Sequence, residues 1–166
     1  MLENRNNGEH RRPMKANRFP FTVVAVDDGA NITMDCGHGV FRSRTVPNSF
    51  LRTLVDACRE TESLIETLRR DKSEAVASLP AFPNCRPIGD ADLGPCSLRI
   101  TASRGYPDAE FQAAFYDKDD VEAPALLLID EQIGQFIREA TRVLDERAVS
   151  PDSPAEATDV PQRTQA

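Results

Sequence analysis

Two hydrophobic periods take turns along this chain. From Phe19 to Val46 the pattern has a period of two: Phe21, Val23 and Ala25 alternate with Thr22, Val24 and Val26, and Ile32, Met34 and Cys36 alternate with Thr33 and Asp35. Phe41, Ser43 and Thr45 then alternate with Arg42 and Arg44. A period of two sends neighbouring side chains to opposite faces, so this stretch predicts three consecutive strands. The stretches DDGA and GHG between them carry the residues that tight turns need; Gly37 and Gly39 suit positive φ, which leaves His38 as the exposed tip of a hairpin.

After Val46 the period changes to that of a helix. Asn48 or Ser49 offers an N-cap, and Leu51, Leu54, Val55, Cys58, Ile65 and Leu68 recur at helical spacing, opposite Arg52, Arg59, Glu62, Glu66 and Arg69. The helix is expected to run to about Ser73, or on to Leu79 before Pro80. Pro80 to Cys96, with four Pro and two Gly between its ends inclusive, reads as a connector. The order then repeats: Ser97 to Ser103, Ala109 to Asp117 and Pro124 to Ile129 read as strands, and Asp130 caps a helix striped by Ile133, Phe136, Ile137, Ala140 and Leu144 and ending near Arg147.

The pattern predicts an α+β fold of two βββα units, each an antiparallel meander followed by an amphipathic helix. The units cover 19–79 and 97–147, joined by the Pro-rich connector 80–96, within one domain spanning 19–147. Residues 1–18 read as a disordered basic arm and 148–166 as a disordered tail, because neither holds enough apolar residues to pack.

Charge sharpens this picture. The net charge is −7, but the first 18 residues hold five Lys or Arg against two Glu, a local +3. Lys118 to Arg147 hold four basic against eight acidic residues, a local −4. An acidic body repels phosphate backbones, which disfavours duplex nucleic acid. No apolar run reaches the roughly 20 residues that span a bilayer, and no apolar segment follows the basic residues of the arm. A cytoplasmic protein with reduced thiols and no membrane partner is expected.

Candidate chemistry is thin. Cys36 and His38 could pair with Cys85 and Cys96 as zinc ligands, but ten residues separate the second pair and no C-x-x-C is present, so no metal or other cofactor is expected. The thiol of Cys36 and the ring of His38 diverge across a turn, and the other histidine, His10, lies in the basic arm, which disfavours a nucleophile with its base. The acids of VDD, DKDD and DEQ sit where turns and helix starts favour them, and GDADLG lacks the ligand spacing of a calcium loop. Arg42 and Arg44 share one strand face and make a candidate binding patch, expected beside Thr33 and Asp35.

By order of elements alone, the chain resembles two groups of non-enzymatic proteins. Its size, acidity and closing helix (Ile129 to Ala148) are similar to those of small acidic secretion chaperones, although the apolar first helix of that group is missing. That resemblance implies a homodimer that binds another protein. The repeated meander-then-helix order also resembles the Whirly or Pur type of single-strand nucleic acid binder, from which the chain departs in charge and in its few stacking candidates, Phe41, Phe111, Phe115, Tyr106 and Tyr116. The expected function is non-catalytic binding of another protein, adaptor- or chaperone-like and homodimeric. Single-strand nucleic acid binding through the Arg42–Arg44 face and the basic arm is the alternative, and a small zinc module the third.

Overall fold

A computed structural model describes residues 18–71, 78–81, 83–104 and 109–149. The basic arm, apart from Arg18, and the tail beyond Val149 lie outside the described residues. The first meander is β1 (Phe21–Val26), β2 (Gly29–Gly37) and β3 (Val40–Pro47), followed by α1 (Asn48–Asp71). The second is β4 (Arg86–Asp92), β5 (Cys96–Ser103), β6 (Glu110–Asp117) and β7 (Leu126–Ile129), followed by α2 (Asp130–Val149). The fold is α+β, with one three-stranded and one four-stranded antiparallel sheet.

The second unit therefore has four strands, not three. The segment read as a connector contains β4, whose sequence RPIGDAD holds Pro, Gly and two Asp and shows no alternation. Cross-strand pairing with β5 makes it a strand, and its composition suits its place at the sheet edge, where Pro and charge are tolerated. A register irregularity between Pro87 and Gly89 adds a bulge there.

Each meander runs into its helix without a loop. Pro47 ends β3 and Asn48 opens α1; Ile129 ends β7 and Asp130 opens α2. At the first junction the Asn48 N–H is satisfied by the Asp28 carbonyl at 3.0 Å. At the second, Gln132 rather than Asp130 does the capping. Its Oε1 accepts from the Ile129 N–H at 3.1 Å, the back-reaching half of a capping box, and its Nε2 donates to the Phe19 carbonyl at 2.9 Å.

The helices pack on each other and on both sheets: α1 on β2, β3 and β6, and α2 on β1, β6 and β7. Ile32, Met34, Val46, Leu51, Leu98, Phe111, Phe115, Ile133 and Phe136 belong to one buried cluster drawn from every layer. Phe21 of β1 meets Phe136 of α2 with ring centroids 5.8 Å apart, a tilted geometry favourable to the ring quadrupoles. The Leu127 N–H of the edge strand β7 points to the Met34 thioether at 3.3 Å, so the first sheet covers part of that edge.

Candidate binding surface

The hairpin tip forms as its glycines predict. Gly37, His38 and Gly39 all have positive φ (88°, 56° and 77°), and the last two are the central residues of the two-residue turn between paired Gly37 and Val40. Two positive values there define the turn type whose twist matches that of the flanking strands. His38 is exposed, while Cys36 sits at a register irregularity and packs half-buried against the core.

Cys85 is exposed ahead of β4, and Cys96 is buried at the start of β5; all four cysteines are free thiols. Burial, reinforced by the nearby Asp117 carboxylate, pushes the Cys96 thiol up to about 11, and burial pushes Cys58 up to about 12. Neither is a ready nucleophile near neutral pH. Among the described residues, no three His, Cys, Asp or Glu side chains come together in a way that could hold a metal ion.

Arg42 and Arg44 share a face, but not the one expected. Strand register sets Arg44 opposite Ile32 and Arg42 opposite Met34, on the side that packs inward, whereas Thr33 pairs with Ser43 and Asp35 with Phe41 on the other side. Long arginine stems can lie along apolar surface and carry the guanidinium past its rim. Arg44 does so and bonds Asp117 at the end of β6, with Nε–Oδ1 at 3.0 Å and Nη2–Oδ1 at 2.5 Å. It ties the two sheets together. The stacking candidates divide as well: Phe111 and Phe115 are core residues, Phe41 is exposed, Tyr116 is half-buried, and Tyr106 lies outside the described residues.

The outward face of the first sheet has a different character. Thr22, Val24, Val26, Asn31, Thr33, Asp35, Phe41, Ser43 and Thr45 alternate out of phase with the buried set Phe21, Val23, Ile32, Met34 and Val46. Asp35 is the one charged residue of these nine, and its carboxylate accepts the Gly37 N–H at 2.9 Å. The polar groups of β2 and β3 are bonded to one another. Asn31 Oδ1 accepts from Thr33 Oγ1 at 2.9 Å and Ser43 Oγ at 3.0 Å, and Asn31 Nδ2 donates to Thr45 Oγ1 at 3.0 Å. Thr33 Oγ1 and Ser43 Oγ lie 3.1 Å apart, so two hydroxyl hydrogens circulate among three contacts. Val24 (55% exposed) and Phe41 (61%) flank this ladder, and Val40 (54%) stands beside the hairpin tip. These are three of the four large apolar side chains exposed among the described residues.

The outer face of the second sheet contrasts with it. Asp90, Asp92 and Arg99 lie there, with Lys118 beside them; Asp92 bonds Lys118 at 3.0 Å and the Gly94 N–H at 2.9 Å, contacts that hold its carboxyl below the usual carboxylate range. No sequence signal distinguished the two faces, because the low charge of the first follows from register and not from any motif.

No described helix is long and apolar enough to cross a membrane. In comparisons with known proteins, no family model, no curated protein and no solved structure matches the chain.

Proposed function

We propose that the protein is a non-catalytic binding module of the cytoplasm, adaptor- or chaperone-like, which engages another protein, and a second copy of itself, through the outward face of β1–β3. The observation that carries this reading is a face with one charged residue in nine, on which the polar groups of Asn31, Thr33, Ser43 and Thr45 already satisfy one another. Burying such a face under a partner strands few hydrogen-bonding groups, so its removal from water costs little. Depletion of charge with an exposed aromatic is also the composition of interface centres. Two acidic copies repel least where each presents little charge, here only Asp35.

Three strands about 4.8 Å apart and four rows of side chains give the face roughly 300–400 Å². A stable partner buries about 800 Å² per side, so it must also reach the hairpin tip at His38 and Val40.

Affinity capture from the native host, followed by mass spectrometry, compares the wild type with the Val24→Asp/Phe41→Asp variant. A specific partner, and the dimer in light scattering, should be lost in the variant while its melting temperature holds. Retention of both would sink this reading. The nucleic acid alternative has Arg44 already engaged by Asp117 and two of its aromatics in the core. It prevails if a short single-stranded oligonucleotide binds at about micromolar affinity near 150 mM salt and the Arg42→Ala/Arg44→Ala variant loses that binding.

A further inference from the structure

The first sheet ends at β3, and strand phase determines which groups line that edge. The Asp35 N–H donates to the Pro20 carbonyl at 2.8 Å, so odd-numbered residues of β2 turn their main chain toward β1 and even-numbered ones toward β3. Register sets Ala30, Ile32 and Met34 opposite Val46, Arg44 and Arg42, which makes these the hydrogen-bonded pairs. The N–H and C=O groups of Phe41, Ser43 and Thr45 therefore point away from the sheet. All three residues are exposed, and no hydrogen bond among the described residues reaches their main chain. The other three edges are less open. On β1 the corresponding residues include Phe21 and Val23, which are 7% and 5% exposed, main chain included. β4 carries Pro87, a bulge, Asp90 and Asp92, and Met34 covers part of β7.

Charge decides what can pair with β3. Residues 36–55 hold three Arg and no acid, in a chain whose net charge is −7. Arg42 and Arg44 lie on the inward side of the strand; Asp117 holds Arg44, and Arg42 forms no ion pair among the described residues. For a second copy, the antiparallel register that uses every open group is centred on Ser43. It sets Arg42 of each copy opposite Arg44 of the other, and like charges directly opposite destabilise a sheet. An acid opposite Arg42 has the reverse effect, so the same residue rejects a copy and selects a partner.

We propose that the β3 edge takes an extended acidic segment of a partner protein as a fourth, antiparallel strand. The inference rests on the reading that a partner engages this sheet, and gives that partner a conformation and a charge. From Phe41 to Thr45 the edge is roughly 16 Å long, at about 3.3 Å per residue. Pairing there satisfies the open N–H and C=O groups of Phe41, Ser43 and Thr45, the main-chain source of affinity in strand addition. Alternate residues of the segment continue the outward face beside these three, and those between them carry the acids on the side of Arg42. The added strand widens a face that is otherwise smaller than the footprint of a stable partner.

The test uses the full chain and a fluorescein-labelled eight-residue peptide that alternates Glu with Thr or Val. Anisotropy at roughly 150 mM salt should give a Kd tighter than about 200 µM, and Lys in place of Glu should weaken binding at least about tenfold. N-methylation of the Thr and Val residues, whose N–H groups meet β3, should abolish binding, whereas N-methylation of the Glu residues should not. Arg42→Glu should reverse the preference in favour of the Lys peptide. On peptide addition, amide exchange should slow at Phe41, Ser43 and Thr45 and change little at Arg42 and Arg44. Val24→Asp, two strands away, should leave the peptide affinity within about twofold, so the edge and the face fail separately. No binding, equal binding of the Glu and Lys peptides, the same result from both N-methylated sets, or protection gained elsewhere would each overturn the proposal. So would loss of binding with Val24→Asp, or a dimer in light scattering that Arg42→Glu dissolves, which would put a second copy at this edge.

Discussion

Replacing Arg69 with Met should destabilise the fold and steepen the stability its Asp130 site regains in mild acid. Arg69 leaves α1 and reaches both other layers. Its guanidinium bonds Asp130 Oδ2 at 2.5 Å and the Ala109 carbonyl at 3.3 Å, and stacks 5.0 Å from the centre of the Phe111 ring. The Asp130 side chain is 19% exposed, and its other oxygen is buried without a hydrogen-bond partner. Burial pushes this carboxyl above its ordinary range, and Arg69 opposes the shift.

A hydrogen bond to a charged group contributes about 1.5–3 kcal/mol, and an exposed cation–π contact about 0.5–1 kcal/mol. Because the Arg69 side chain is 40% exposed, solvent screening favours the low end, and the loss should be about 2 kcal/mol near neutral pH. For a chain of this size that lowers Tm by roughly 6–8 °C. Met retains the stem over Phe111, so the missing part is charge.

The pH response follows from linkage. An acid whose pKa is higher folded than unfolded binds protons preferentially in the folded state. Its destabilising effect is full above the folded pKa and is relieved as pH falls toward the unfolded value. Without Arg69 the upward shift grows, so the variant should regain stability between pH 7 and about 4 more steeply than the wild type. Urea titrations across that range measure it, and Arg69→Met/Asp130→Asn should recover most of the loss. A single-variant effect under about 0.5 kcal/mol, or a double-mutant coupling indistinguishable from zero, would refute the reasoning.

Other substitutions probe the junctions and the thiols. Gly29→Ala should cost more than about 3 kcal/mol, because its Cβ would overlap the Val46 carbonyl and lie 2.8 Å from Pro47 Cα, both backbone; loss of the cooperative melt checks this. Gly134→Ala should instead stabilise by about 0.5–1 kcal/mol, measured by urea denaturation: the new methyl meets the ends of two flexible side chains, Glu62 Oε2 at 2.9 Å and Arg138 Nη1 at 3.4 Å, and the helix gains a better former. Timed alkylation read by mass spectrometry should label exposed Cys85 first, with Cys58 and Cys96 reacting only on unfolding, since burial lifts those thiols to about 12 and 11.

Much of the architecture was legible because it follows from side-chain period. The three strands before α1, both helices and β5 to β7 each carry a pattern that only one element type can bury. β4 was not legible, since RPIGDAD has no period and becomes a strand only when β5 presents its hydrogen-bonding edge. Parity put Arg42 and Arg44 on one face, but not on which one. Chemical likeness grouped them with Thr33 and Asp35, while register grouped them with Ile32 and Met34. What settles Arg44 is Asp117, a partner 73 residues away that no local pattern announces. The same holds for the Asn31–Thr33–Ser43–Thr45 ladder, which exists only once β2 and β3 are aligned. Asp130 matched the expected N-cap type, yet tertiary pairing with Arg69 claimed it and left capping to Gln132.

The contacts of β1 with α2 bear on how the chain folds as it is made. The Phe19 carbonyl waits for Gln132, 113 residues later, and the Arg18 guanidinium and the Phe21 ring wait for Glu131 and Phe136. At a synthesis rate of about 5–20 residues per second, roughly 6–20 s pass between emergence of the first strand and that of its cover. Throughout that interval α1 can pack on β2 and β3 but the apolar side of β1 lacks α2, and any product truncated before Asp130 keeps that strand without its cover. Such fragments should be chaperone clients, and full solubility should arrive only with the last twenty residues of the described fold, Asp130–Val149.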